Sequence, residues 1–244
     1  MLLKTERVTK AFGGVMAVRA VDLSVRAGEI LGLIGPNGAG KTTLFNLITG
    51  LYRIDNGRIF FQDQEITRLG PADRCKRGIA RTFQLVRPFQ HMTLGENVAV
   101  GCVYGRVPAK SRRQAENQAR EILGLVGLAD QFDAPAHNLT LMNRKRLELA
   151  RALATQPFLL LLDEFLAGLN PSEVHVALDL VRQLRASNIT IILVEHIVEA
   201  VFGISDRVIV LNVGEKIAEG SPAQVASDER VINAYLGHGL RTHA

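Results

Sequence analysis

The sequence has no tryptophan, and only 5% of its 244 residues are aromatic. Proteins that bind single-stranded nucleic acid stack the bases on aromatic side chains, and this chain offers few. Its formal net charge is +5, but the densest basic groups are short, KSRR at 110–113 and RKR at 144–146. We therefore expect no nucleic-acid partner. Most of the positive charge is interpreted as solvated surface, with a weaker preference for an anionic ligand or membrane neighbourhood.

Paired cysteines and long hydrophobic runs are also lacking. Cys75 and Cys102 match no metal-binding or redox spacing, so we expect two reduced thiols in a cytosolic protein. The longest apolar runs, such as FLLLL at 158–162, have the length of a strand and fall well short of the roughly 18 residues that cross a bilayer. The N-terminal residues are charged from Lys4 onward, which argues against a secretory signal.

Buried strand patterns alternate with helical patterns over much of the chain. Apolar runs such as ILGLI at 30–34 and TIILV at 190–194 predict strands, and each is followed by a segment with helical spacing. This alternation predicts an α/β fold with a largely parallel sheet covered on both faces. The N-terminal third adds strands and turns, and residues from about 88 to 155 are predicted to be mainly helical, which indicates an inserted helical subdomain.

A phosphate-binding motif follows the first buried strand. Gly35, Gly40, Lys41 and Thr42 have the spacing G-x-x-x-x-G-K-[ST], between an apolar strand and a helix. Small residues let successive backbone N–H groups surround a polyphosphate, and the helix N-terminus adds partial positive charge. Lys41 is expected to reach the terminal phosphates, and the Thr42 hydroxyl to bind Mg²⁺. A chance match remains the alternative.

Two later strands end in polar residues that suit the same chemistry. The strand LLLL at 159–162 is followed by Asp163, placed to hold Mg²⁺ through water, and by Glu164, placed as general base. Alone, such an acidic pair is more often a helix cap, but the phosphate motif favours the catalytic interpretation. The strand at 190–194 leads to His196, which is predicted to reach the γ-phosphate, although a lone histidine at a strand end is more often structural.

Together with RTFQ at 81–84, these motifs resemble the ATP-binding subunits of ABC transporters over nearly the whole chain. The resemblance implies a P-loop NTPase (RecA-like) core with an N-terminal antiparallel β subdomain and an inserted α-helical subdomain. The chain would be one ABC ATP-binding domain, 1–244, with the core and β subdomain at 1–87 and 156–244 and the helical signature subdomain at 88–155.

The resemblance also assigns roles to individual residues. Phe12 looks like the aromatic that stacks on adenine, Gln84 like the glutamine that binds Mg²⁺ and senses the γ-phosphate, and His196 like the switch histidine. Asp163 and Glu164 match the acidic pair. The residues that match the phosphate loop are Gly35, Pro36, Asn37, Gly38, Ala39, Gly40, Lys41, Thr42 and Thr43. ATP and Mg²⁺ are the implied cofactors.

Details such as AGLNP at 167–171 and INAYLG at 232–237 resemble the branched-chain amino acid uptake branch. That branch implies membrane-spanning permease subunits, a sister ATPase (or a second copy of this chain) and, indirectly, a periplasmic solute-binding protein. It also implies a peripheral position on the cytoplasmic face of the inner membrane. The stretch at 85–97 would receive a cytoplasmic helix of the permease, with Arg87, Phe89 and Met92 as candidate contacts.

The signature turn departs from the family. Where the family has L-S-G-G-Q, this chain has Leu139, Thr140, Leu141, Met142 and Asn143. Both glycines are lost, but Thr140 and Asn143 keep polar groups that could face nucleotide or cap the helix. We therefore interpret this stretch as a degenerate signature, which predicts an asymmetric pair of sites. Phe165 replaces the proline usual after the acidic pair, and Asn170 replaces an aspartate.

Three other functions stay open at this stage. One is the ATPase of a lipid or lipopolysaccharide export system, since its core motifs would look alike. A second is an ABC-type ATPase that acts on nucleic acid or ribosomes, although the coiled-coil insertions or tandem domains typical of those are missing. The third is an ATP-gated dimerisation module with little hydrolysis, which the altered signature favours and the intact Glu164 disfavours.

Overall fold

The computed structural model describes residues 1–83 and 88–239, with side chains to residue 235. The chain divides into two compact units, the first formed by residues 1–71 with the chain from 190 onward and the second by residues 72–189. The strands are β1 Leu3–Phe12, β2 Val15–Val25, β3 Ile30–Ile34, β4 Asn56–Phe61, β5 Gln64–Glu65, β6 Ile79–Arg81, β7 Leu159–Asp163, β8 Thr190–Val194, β9 Arg207–Asn212 and β10 Glu215–Gly220. The helices are α1 Lys41–Ile48, α2 Pro71–Lys76, α3 Leu94–Tyr104, α4 Arg112–Leu125, α5 Leu141–Leu153, α6 Pro171–Ala186, α7 Val198–Ile204, α8 Pro222–Ala226 and α9 Glu229–Gly239.

The first unit contains the predicted antiparallel sheet and a run of parallel strands. The antiparallel sheet has the order β2-β1-β4-β5, and the other strands of this unit follow the order β10-β9-β3-β8. β3 pairs in parallel with both β8 and β9. Every residue of β3 and β8 is buried, which explains why their sequences are continuously apolar rather than alternating.

The second unit holds the other parallel pair and most of the helices. β6 pairs in parallel with β7, with Arg81 opposite Leu161. α3 begins with a full capping box between Thr93 and Glu96, which satisfies two amide groups at its first turn. Between α4 and α5 the chain forms two short 3₁₀ helices, Ala129–Gln131 and Ala136–Asn138.

A tight turn separates β4 from β5, since β4 ends at Phe61 and β5 begins at Gln64. Gln62 and Asp63 both have positive φ, +49° and +59°, which turns the chain back on itself between the strands.

Several short elements had no counterpart among the sequence predictions: α2, β6, α8 and α9. They are too short, or too irregular in pattern, for periodicity to identify. Among the described residues, no helix combines the length and the apolar character needed to cross a bilayer.

Candidate functional site

The phosphate motif forms a tight loop between β3 and α1 in the first unit. The conformation of this loop depends on glycine at two positions. Gly35 has φ +154°, and a Cβ there would lie 2.1 Å from the Leu211 carbonyl oxygen. Gly40 has φ +99°, and a Cβ there would lie 2.3 Å from the Ala17 carbonyl oxygen. Any side chain at either position would collide with backbone, so the motif's glycines are required by the fold as well as by a ligand.

Helix α1 begins at this loop with Gly40 as its N-cap. Glycine has no side chain with which to cap the helix, and the first turn contains Lys41, Thr42 and Thr43 but no acidic residue. The positive end of the helix dipole at this turn therefore favours an anion. This is the arrangement that binds phosphate in P-loop proteins.

Lys41 is buried within the loop that it is predicted to serve. Its ammonium donates to the carbonyl oxygens of Gly35 at 2.6 Å and Pro36 at 3.0 Å. A buried ammonium needs such acceptors, and a polyphosphate would offer stronger ones, since charge-assisted bonds to phosphate exceed those to neutral carbonyls.

His196 lies at the same sheet edge as the phosphate loop. Leu33 of β3 is opposite Val194 of β8 in a parallel pair, and Gly35 and His196 each follow two residues later. The His196 side chain is exposed, whereas the preceding Glu195 is buried. The register thus brings the predicted switch histidine to the edge where the phosphate loop lies.

Phe12 is an exposed aromatic at the end of β1. Its ring is 44% exposed and packs edge-on against Tyr52 with the centroids 5.3 Å apart. The ammonium of Lys10 lies 5.4 Å from the Phe12 ring centroid. Tyr52 follows α1 and lies in no motif, so its role could not be identified from the sequence. It packs beside Phe12 at the surface where Phe12 is predicted to stack on adenine.

The acidic pair lies in the second unit, at the end of the fully buried strand β7. An Asp163 carboxylate oxygen, Oδ2, accepts a hydrogen bond from Arg81 Nη2 at 2.5 Å, and both side chains are buried. The Asp163 amide donates to Thr82 Oγ1 at 3.2 Å. Arg81 at the end of β6 and Thr82 after it thus fix the side chain and the amide of Asp163. Neither residue was identified from the sequence.

The other oxygen of Asp163 fits a magnesium site. Oδ1 is buried and has no hydrogen-bond partner among the residues that the structure describes. Mg²⁺ is commonly held by one or two carboxylates together with phosphate oxygens and water, so one orphaned carboxylate oxygen suits a cation that arrives with a nucleotide. No cluster of three or more histidine, cysteine or acidic side chains suited to a metal occurs in the described part of the chain.

Glu164 has an unusual backbone. Its φ is +50°, in the left-handed region that residues other than glycine rarely adopt. Its carbonyl oxygen accepts from the Ala167 amide at 3.2 Å and from Lys145 Nζ at 3.0 Å. Such strained conformations persist where the surroundings fix them, and they concentrate at functional sites.

The degenerate signature forms the start of helix α5. Thr140 is its N-cap, and its hydroxyl accepts from the Asn143 amide at 3.3 Å. Leu141 is 48% exposed, whereas Met142 is buried. A Leu141 methyl carbon lies 2.9 Å from the point where a Cβ on Gly168 would be. Of the two residues that replace the glycines, Leu141 therefore occupies the surface and borders the AGLNP loop.

The two other departures have plain structural roles. The Phe165 side chain is buried, and so it belongs to the core of the second unit. Asn170 is the N-cap of α6 and forms a capping box with Glu173. Since asparagine and aspartate are about equally good N-caps, the change at 170 preserves that function.

The predicted site residues fall into two sets. The phosphate loop, Phe12 and His196 belong to the first unit, and Asp163, Glu164, Thr140 and Asn143 belong to the second. Gln84 and Arg87 lie outside the described residues.

Comparisons with known proteins identify the family and the fold. The sequence profile of the family described as ABC transporter matches residues 18–167, and that described as branched-chain amino acid ATP-binding cassette transporter matches residues 215–240. Among solved structures, the ADP conformation of MJ1267, an ATP-binding cassette of an ABC transporter, is similar with a TM-score of 0.87 and 35% identity, over 97% of this chain and 98% of that one. A dimeric post-hydrolysis cassette bound to ADP and Pi, MJ0796, is similar with a TM-score of 0.82 and 25% identity, over 91% and 99% of the two chains.

The chain therefore belongs to the ATP-binding cassette family of ABC transporters, whose members bind nucleotide and are ATPases coupled to transport. The predicted α/β fold with a P-loop core and an antiparallel β subdomain is confirmed.

Within that family, the predicted likeness to branched-chain amino acid uptake systems is also confirmed. The chain is 41% identical to the high-affinity branched-chain amino acid transport ATP-binding protein LivG of Escherichia coli K12, over 97% of this chain and 98% of that protein. It is 39% identical to the protein of the same description named BraF of Pseudomonas aeruginosa, over the same shares.

Proposed function

We propose that this chain binds and hydrolyses ATP to power an ABC importer for branched-chain amino acids. The observation that carries the proposal is the phosphate loop at the start of α1, where two glycines are fixed by backbone contacts and Lys41 rests on loop carbonyls that a polyphosphate would replace. The solute class comes from the relatives named above, whose descriptions specify branched-chain amino acid transport.

In this proposal each motif has one task. Gly35 to Thr43 cradle the phosphates, Phe12 stacks on adenine beside Tyr52, and His196 contacts the γ-phosphate. Glu164 accepts a proton from the attacking water as general base. The proposed domain division stays as predicted, with the core and β subdomain at 1–87 and 156–244 and the helical subdomain at 88–155.

Magnesium would be held by Asp163, by the Thr42 hydroxyl and by Gln84. When bound, it supplies charge neutralisation at the β- and γ-phosphates. On the protein side, the Arg81 guanidinium occupies Oδ2 of Asp163 and leaves Oδ1 as the oxygen to face the cation.

The altered signature makes the proposed dimer asymmetric. Leu141 adds an exposed side chain where the family has bare backbone, so the turn cannot approach a partner's γ-phosphate as closely. The chain's own phosphate loop, Glu164 and His196 would form a complete site with the intact signature of a sister ATPase. The site at the altered turn, to which Thr140 and Asn143 contribute, would turn over more slowly.

The proposed contact with the permease is the stretch at 85–97. Met92 of this stretch also lines a groove of about 660 Å³ along α3 and α4, together with Val103 and Tyr104. Phe89 is 44% exposed near the start of α3, and the Arg151 guanidinium lies 4.8 Å from its ring centroid. An amphipathic helix from a permease subunit on the cytoplasmic face of the inner membrane would place its apolar side here. A periplasmic solute-binding protein would act on the far side of the same complex.

The direct test is transport by the complex purified through a tag on this chain and reconstituted in proteoliposomes. With ATP inside the vesicles and a matching solute-binding protein outside, labelled leucine or isoleucine is expected to accumulate, and Glu164→Gln to abolish the uptake. Uptake of amides or urea in place of these amino acids would overturn the proposed solute. Uptake that survives Glu164→Gln would overturn the proposed role of Glu164.

The proposed permease contact at 85–97 is tested with Phe89→Asp in the same vesicles. A carboxylate in an apolar contact is expected to reduce uptake by about tenfold while the affinity for ATP changes by less than about twofold. Val107→Asp, another exposed apolar residue beyond the end of α3, is the matched control and should transport normally. Full uptake by Phe89→Asp would remove this residue from the contact.

A further inference from the structure

Two ionisable side chains of helix α5, one turn apart, link it to the acidic pair of its own chain, Lys145 directly and Glu148 through residues 81–83. Lys145 and Glu148 are both almost fully buried, at 5% and 7% exposure. Charged side chains are rarely buried without a specific partner, and no motif of the family resemblance assigns either residue a role. Their contacts explain why they are there.

Lys145 donates from Nζ to the carbonyl oxygen of Glu164 at 3.0 Å. This carbonyl belongs to Glu164, whose φ of +50° lies in the left-handed region that is unfavourable for residues with a side chain. The orientation of the Glu164 side chain depends directly on that backbone, because φ sets the direction in which the side chain leaves the chain. A charged donor on this carbonyl is stronger than a neutral one, so it helps to hold the unusual conformation.

Glu148 makes the second contact, at the end of the segment that supports Asp163. Its carboxyl oxygen Oε1 accepts a hydrogen bond from the Phe83 amide. Phe83 directly follows Arg81 and Thr82, which bind the side chain and the amide of Asp163. The two residues of α5 thus reach the acidic pair from two directions, Lys145 through the Glu164 carbonyl and Glu148 through the segment 81–83.

We propose that Lys145 and Glu148 are positioning residues that lock the signature helix of each chain onto its own acidic pair and so fix the backbone of the general base Glu164. The inference rests on the proposed role of Glu164. It adds a route within one chain, from the turn that faces the partner's nucleotide to the base that serves the chain's own nucleotide. A shift of α5 at its N-terminus would be transmitted to Glu164 through a bonded contact.

The test measures steady-state Mg·ATP hydrolysis by the full complex that carries Lys145→Met. Loss of the donor is expected to lower kcat by about tenfold or more and to leave KM for ATP within about twofold, since the lysine acts through Glu164 and touches no part of the nucleotide. Lys145→Arg, which keeps a charged donor, is expected to recover most of the lost kcat. Lys76→Met, an exposed lysine of the same unit, is the matched control.

A purely structural role predicts a different pattern. If Lys145→Met lowers thermal stability, and kcat falls only in proportion to the folded fraction, the inference is overturned. Unchanged kcat in Lys145→Met, alongside complete loss in Glu164→Gln, would overturn it while leaving the proposed function intact. Turnover that survives Glu164→Gln would overturn both. Should Lys145→Met not fold, Glu148→Met provides the same test, because it removes the acceptor for the Phe83 amide, and Glu148→Gln, which keeps one, is expected to recover most of the lost kcat.

Discussion

At the scale of single residues, the glycines of the phosphate loop differ in how much space the neighbouring backbone leaves for a side chain. Gly35, Gly38 and Gly40 all have positive φ, but their surroundings differ. A Cβ at Gly38 would meet nothing within 4 Å, whereas one at Gly40 would lie 2.3 Å from a backbone oxygen. The same residue type is therefore required for conformation alone at one position and for conformation and space at the other.

This difference predicts unequal costs for the same substitution. Gly38→Ala should lower the free energy of unfolding by about 1 kcal/mol, the cost of a positive φ in a residue with a side chain. Gly40→Ala should cost roughly 2 kcal/mol more, because a backbone collision is added. Urea unfolding of the two variants measures both values. Equal losses would contradict the packing described for Gly40.

Glu148 predicts a dependence of stability on pH. Burial raises the pKa of this carboxyl from its ordinary value to about 7, although the Phe83 amide and the nearby charges of Arg151, Lys145 and Arg81 oppose the rise. Between about pH 4.5 and pH 7 the folded chain keeps this proton, while the unfolded chain releases it. The contribution of Glu148 to stability is therefore full below this range and lost as the pH rises through it.

Glu148→Gln should remove that slope. The difference in unfolding free energy between the native chain and the variant is expected to change by about 1 to 3 kcal/mol between pH 4.5 and pH 7.5, in favour of the variant at the higher pH. Comparison of the two proteins by urea unfolding cancels the other titrating groups. A difference that stays constant with pH would mean that Glu148 titrates at its ordinary value.

At the scale of elements, the first turn of α5 has an ordinary N-cap, independent of any contact with nucleotide. Thr140 Oγ1 accepts from the Asn143 amide, and the helix then runs to Leu153, with Leu147 to Ala150 all buried. Of the two capping residues that the sequence suggested, the structure selects Thr140. The signature turn has lost the glycines of the family but not the conformation of a helix N-terminus.

The cap gives a separate prediction. Thr140→Ala should lower the free energy of unfolding by about 1 kcal/mol, and Thr140→Ser should retain most of it, because serine supplies the same acceptor. Thermal unfolding of both variants provides the measurement. If alanine and serine behaved alike, the hydroxyl would not cap the helix.

The elements also differ in whether the sequence alone could predict them. The strand–loop–helix of the phosphate site and the acidic pair after β7 follow from local order along the chain, so they could be predicted. β6 has only three residues and is defined by its pairing with β7, and periodicity cannot detect such a strand. Lys145 looks like an ordinary helical lysine, since its acceptor lies 19 residues further along the chain.

At the scale of the whole molecule, the proposed mechanism requires each nucleotide to meet a signature turn from another chain. The altered turn therefore affects the assembly more than the subunit. Leu141 is the exposed residue of the turn, and its side chain borders Gly168 in the AGLNP loop. Bulk at this surface is expected to keep two copies of the chain from forming two productive sites.

Restoring the glycines tests this expectation. Leu141→Gly combined with Met142→Gly should increase hydrolysis by the purified chain several-fold at high protein concentration, because the backbone could then approach the second copy's nucleotide. Some stability will be lost, on the order of 1 kcal/mol for each glycine in a helix. The pair Leu141→Ala and Met142→Ala is the control, since it removes bulk without the freedom of glycine. Equal activity in both double variants would mean that bulk alone is limiting.

The most direct measurement is Mg·ATP hydrolysis by the purified chain across a wide range of protein concentration, alone and together with its sister ATPase, with Glu164→Gln as control. The account predicts tight ATP binding with little turnover by the chain alone. With the sister subunit, turnover should rise steeply and fall to background in Glu164→Gln. Equal turnover per chain with and without the sister subunit, or turnover that Glu164→Gln leaves unchanged, would contradict it.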